Sequence, residues 1–176
     1  MATESEIQKL SKNGKEAFEA GEYESAADLF ENAAQGYTNL KDPVNAAELK
    51  NNKSVALLKM GKAQEALDAV QGTREIFAQA RDLKREGMAV GNQAAALEAL
   101  HRFDEAYDAY EQSAGIFAEA GEGDLRAMVL KAAAGIKLKR GKVSESAFKM
   151  IGSLEAKDKP SIFERILKTI LLFIQG

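Results

Sequence analysis

Small and large apolar residues recur along the chain at helical spacing, and short polar gaps interrupt them at regular places. The segment GEYESAADLFENA from Gly21 returns as GKAQEALDAVQGT, HRFDEAYDAYEQS and GKVSESAFKMIGS, starting at Gly61, His101 and Gly141, each 40 positions after the last. Within these copies one position is always small: Ala26, Ala66, Ala106 and Ser146. Another is always large and apolar: Phe30, Val70, Tyr110 and Met150. A fixed period of this length marks a stacked repeat array.

The pattern predicts helical hairpins at about 5–20 and 23–40, 43–60 and 63–80, 84–100 and 103–119, and 124–140 and 143–156. Turns inside the hairpins fall near Gly21, Gly61, His101 and Gly141, where glycine supplies the left-handed conformation that ends a helix. Histidine tolerates that conformation less well, so a different turn geometry is expected at His101. Turns between hairpins fall near Asp42, Asp82 and Glu122, with Asp42 an N-cap and Pro43 at the first helical position. A further helix, about 161–175, follows Pro160 and opens on the capping pair Ser161 and Glu164.

Helices approach closely only where side chains are short. Gly14, Ser54, Ala94 and Ala134 on the first helices oppose Ala26, Ala66, Ala106 and Ser146 on the second. Tyr37, Phe77 and Phe117 are expected to pack each hairpin on the next. The fourth copy is the least regular: Lys137 and Arg140 stand where the third has Leu97 and Leu100.

In the first copy, Leu10, Gly14 and Ala17 are followed by Ala26 and Phe30. This resembles the tetratricopeptide repeat, with its glycine, alanine and phenylalanine kept and its tryptophan and closing proline absent. The 40-residue step is similar to the subclass with extended helices, as in kinesin light chains and LGN-type polarity scaffolds. The resemblance implies an all-α, right-handed α-solenoid. Its domains would be a 1–160 array (repeats about 5–42, 43–82, 83–122 and 123–157) and a 161–176 apolar capping helix.

The resemblance also implies a concave groove, lined by the first helix of each hairpin, that binds an extended peptide of a partner protein. The residues it brings there are Lys12, Lys15, Asn51, Asn52, Val55, Met88, Asn92 and Lys131. An asparagine amide offers a donor and an acceptor to a peptide backbone. Of the carboxylate clamp of chaperone-binding repeats only Asn52 is present, against Ser11, Lys15, Met88 and Asn92 at the other positions.

Composition narrows the remaining classes. The chain of 176 residues has a net charge of −3 and no cysteine. That gives no general drive toward nucleic acid, and no disulfide framework or thiolate site. No catalytic motif, metal set or cofactor loop appears, so a non-catalytic protein is expected, with no metal and no cofactor. The single histidine, His101, reads as a turn residue. No apolar run reaches the roughly 20 residues that span a bilayer. The N-terminus lacks a secretory signal, and a cytoplasmic location is expected.

The tail, SIFERILKTILLFIQG, is the most apolar segment. It reads first as a cap for the last repeat. The alternative is an assembly or membrane-peripheral device that joins copies through Phe163, Ile166, Ile170 and Phe173.

Overall fold

The computed structural model describes residues 2–155. The described residues form eight helices and no strand: α1 (Glu4–Glu19), α2 (Tyr23–Asn39), α3 (Pro43–Lys59), α4 (Ala63–Ala69), α5 (Thr73–Gln79), α6 (Leu83–Ala99), α7 (Phe103–Glu119) and α8 (Gly123–Glu155). The chain divides into two compact units, Met1–Ala133 and Ala134–Gly176. The first holds α1 to α7 and the opening of α8, and the second holds the rest of α8. The predicted tail helix, with Phe163, Ile166, Ile170 and Phe173, lies outside the described residues.

A single turn, used six times, sets the repeat. The residues at 21, 41, 61, 81, 101 and 121 all have positive φ, so the turns fall every 20 residues. Each sends its own N–H to the carbonyl three residues back, and the next residue's N–H reaches the carbonyl five residues back. At Gly21 these bonds run to Phe18 and from Glu22 to Ala17, at 3.1 and 2.9 Å. This is the Schellman arrangement, which satisfies the last carbonyls of a helix. His101 adopts the same conformation (φ 59°) with the same two bonds, so the different geometry expected there is not found. The residue on which each turn closes is buried: Ala17, Tyr37, Leu57, Phe77, Leu97 and Phe117. Asp42 and Asp82 then cap the next helix, accepting from the N–H groups of Asn45 and Arg85 at 3.1 and 3.0 Å.

Within the first unit α1 packs on α2, α2 on α3, α3 on α4, α5 and α6, and α6 on α7. Hairpins therefore stack in sequence order, as in a solenoid. Their interiors trade volume across the pair. In the first, Ile7 on α1 fills the space left by Gly36 on α2; in the third, Phe117 on α7 fills that left by Gly87 on α6. Phe77 packs against Ala47 of its own hairpin and Ala89 of the next. The aromatic series therefore also holds hairpins closed, beyond the predicted packing of one on the next.

Two stretches differ from the sequence expectation. The helix predicted at 63–80 is broken: α4 stops at Ala69, and Gly72 adopts φ 75° before α5 begins. The corresponding positions in uninterrupted α2 and α7 are Asn32 and Gln112, and neither has glycine's freedom to adopt positive φ at no steric cost. The break is satisfied internally, because the Thr73 hydroxyl reaches the Val70 carbonyl at 2.8 Å and the Asn51 amide oxygen at 3.3 Å. Helices predicted at 124–140 and 143–156 are instead one helix, α8, which passes through Gly141 without a turn. A seventh turn would have to close on Lys137, which is charged and exposed, whereas the other six close on buried apolar residues. A glycine inside a helix costs only about 1 kcal/mol, so the helix continues. Ala134, expected at a close contact, is exposed.

Candidate functional site

The first helices α1, α3 and α6 run through the stack, and one side of each presents polar and partly exposed residues. Lys12 and Lys15 on α1 are exposed, and Asn52 and Val55 on α3 are half-buried. Asn92 on α6 is half-buried, Met88 is 41% exposed, and Lys131 on α8 is exposed. Met128, 40 positions after Met88, is 61% exposed. Large apolar groups exposed to this degree are few among the described residues, and two of them fall on this stripe in register. Methionine is a soft, adaptable contact residue.

Asn51 does not belong to the stripe. It is 5% exposed and turned inward, where its amide oxygen accepts the Thr73 hydroxyl at 3.3 Å. The expectation failed because a helical stripe is wide, and Asn51 sits at its edge. Its equivalents Ser11 and Gly91 are half-buried, whereas Asn51 is drawn inward by its bond to Thr73.

Lys15, Asn52 and Val55 come together at one place. With Phe18, Glu19 and Phe30 they line a pocket of about 190 Å³. Its walls are mainly apolar. Phe30 forms part of them because α2 approaches the bare backbone of Gly14 on α1. The Phe18 ring is braced edge-on by Tyr23, with centroids 5.3 Å apart. Lys15 makes no ion pair among the described residues, while Lys12 meets Glu16 at 3.5 Å. Sequence reasoning placed Phe30 in the core and gave Phe18 no role. The available signal was that Phe18 is aromatic where later copies have Leu58 and Glu98.

A second cavity, of about 440 Å³, opens beside the break between α4 and α5. Gln71, Gln93, Gln112, Arg74, Arg102 and Glu105 are among its lining. Its two arginines are already engaged. Arg102 forks Glu105 with contacts of 2.7 and 2.6 Å, which holds that carboxyl below its usual range. Arg74 meets Glu86 at 3.3 Å. Nearby, burial and the Glu98 carboxylate raise the pKa of Tyr110, whose hydroxyl donates to Glu98 at 3.0 Å.

Among the described residues no group of three His, Cys, Asp or Glu side chains is placed to hold a metal ion. None of the described helices is long and apolar enough to cross a membrane. Residues 11–159 match the family described as "SNAP: Soluble NSF attachment protein, SNAP", a TPR-like helical-repeat group of non-enzymatic, protein-binding adaptors. No curated protein matches the chain.

Proposed function

The chain belongs to the soluble NSF attachment protein family, and on that premise we propose that it is a non-catalytic adaptor whose partner lies as an extended segment across α1, α3, α6 and the opening of α8. Lys15, Asn52, Val55, Met88, Asn92 and Lys131 supply the contacts, and Met128 joins them. The observation that carries this reading is that half-buried amides at Asn52 and Asn92, and exposed methionines at Met88 and Met128, each recur one 40-residue step apart on the same stripe. The amides pair with main chain, and the methionines adapt to side chains. Such a surface suits a segment read partly through its backbone. The even 20-residue spacing of the turns supports an extended-helix form of the repeat. NSF, which the family name describes as attached, is the first candidate partner. Binding without chemistry fits the dispersed acidic groups.

The test is selection from a random peptide-display library on the immobilised full chain, followed by affinity measurement on an Asn52→Ala/Asn92→Ala variant. Selected peptides should lose at least tenfold in affinity. Peptides that bind the variant equally well place the binding surface elsewhere.

A further inference from the structure

The pocket between α1, α2 and α3 has a size and a rim that narrow the partner's chemistry. We propose that it is a socket for one bulky apolar side chain, phenylalanine above all, carried beside an acidic residue that meets Lys15. This rests on the adaptor reading and specifies which residue of the bound segment would anchor it. A cavity of roughly 150 Å³ suffices for a benzene ring in an apolar protein interior, and this pocket measures about 190 Å³. Drug-sized ligands occupy roughly 300–1,000 Å³, so the volume suits a single side chain better than a small-molecule cofactor.

The walls point the same way. Phe18, half-buried, is the ring an incoming aromatic would meet, while Phe30, 2% exposed, closes the wall; aromatic pairs contribute about 0.5–1.5 kcal/mol beyond area burial. The matching positions one repeat later are Leu58 and Val70, so the aromatic walls belong to the first repeat. Gly14 is part of the device. A Cβ there would stand 2.7 Å from Phe30 Cε1, so glycine lets the ring settle against the α1 backbone where it lines the socket.

The rim adds direction. Lys15 is exposed and makes no ion pair among the described residues, whereas Lys53, on the next first helix, is held by Glu31 at 2.8 Å. Asn52, half-buried on α3, also lines the pocket and carries an amide able to pair with the segment's main chain. An acidic neighbour of the anchor would meet Lys15. Glu19, also on the rim, would oppose a second acid placed on its side.

The experiment is a titration of the full chain, isotope-labelled, with a capped tripeptide amide of aspartate, phenylalanine and alanine, followed by amide NMR. The expected result is saturable shifts in the millimolar range at Phe18, Phe30, Asn52 and Val55. Replacing the peptide's phenylalanine by alanine should weaken binding at least tenfold, and replacing its aspartate by lysine about threefold. On the protein side, Val55→Trp should plug the socket and abolish the shifts, and Lys15→Gln should erase the preference for aspartate. If Val55→Trp does not fold, the two altered peptides ask the same question of the unaltered protein. Absence of saturable shifts at these residues, or equal binding of the alanine peptide, overturns the proposal. So do shifts that grow with protein concentration alone, which would assign the socket to a second copy of the chain. The adaptor reading fails separately, if long selected peptides ignore Met88→Ala and Asn92→Ala while the tripeptide still binds.

Discussion

Phe30 rests its ring on the bare backbone of Gly14, so closely that a Cβ at Gly14 would come within 2.7 Å of Cε1 and 2.8 Å of Cδ1. The contact closes the first hairpin and shapes the pocket at the same time. It ties one core requirement to one surface feature.

Substitution of Gly14 by alanine sets two effects against each other. Alanine gains about 1 kcal/mol of helix propensity over glycine, while forcing a methyl into a filled core costs about 1–3 kcal/mol. A methyl at Gly14 would meet three atoms of the Phe30 ring at 2.7, 2.8 and 3.3 Å, so the clash outweighs the gain in propensity. Gly14→Ala should lower stability by about 1 kcal/mol in chemical denaturation. Gly115→Ala, on the exposed side of α7 with nothing within 4 Å of the added methyl, should raise it by about 0.5–1 kcal/mol.

The turns offer an opposite pair. Lys41, Arg81 and His101 hold φ of 59°, 56° and 59°. The left-handed conformation costs a non-glycine residue about 1 kcal/mol or more. Lys41→Gly and Arg81→Gly should each stabilise the protein by about 0.5–1 kcal/mol, and Gly61→Ala should destabilise it by about 1 kcal/mol. Thermal melts of the three variants check the signs.

The break between α4 and α5 is held by Asn51 and Thr73, both buried. Thr73→Val leaves the Asn51 amide without its hydroxyl partner, and an unsatisfied buried polar group costs about 1–3 kcal/mol. The first repeat has Ser11 and Ala33 at the matching positions. Asn51→Ser combined with Thr73→Ala should therefore cost less than the two single changes added together. A double-mutant cycle by urea denaturation measures the difference.

Alkaline stability follows from Tyr110. Burial first, and the Glu98 carboxylate second, raise its pKa above the ordinary 10.0. The folded state keeps the phenol protonated when the unfolded chain has begun to release it. Its contribution is intact below pH 10 and falls away as pH rises beyond that. Tyr110→Phe should flatten the decline of stability between pH 9.5 and 11 relative to the parent, a window set around that ordinary value. Tyr37, raised by burial and by Glu4, Asp42 and Glu48, leaves a smaller residual slope.

Most helix ends were legible in the sequence because one turn chemistry repeats. Each turn couples a residue at positive φ to a buried residue four positions earlier, and both leave a mark in the pattern. Where one mark is missing, reading fails: Gly141 looks like a turn, but Lys137 gives it nothing buried to close on. The break at Gly72 was visible only as an unremarked glycine inside a helical run. The stripe positions of Lys15, Asn52, Val55, Met88 and Asn92 came from helical spacing and from the family resemblance. The pocket did not, because its volume depends on how far α2 approaches α1, and spacing along a single helix carries no such distance. Asn51 went astray for a related reason: one residue of helical phase separates the outer face from the contact with α5.

On the proposed function, the first helices and not the second form the binding face. Hydrogen–deuterium exchange on the full chain, with and without a library-selected peptide, tests it most directly. Added protection is expected in α1, α3 and α6, centred on Lys15, Asn52 and Asn92, with any change in α2 confined to the turn around Phe30 and α7 unchanged. Protection confined to α2, α4 and α7 would contradict it.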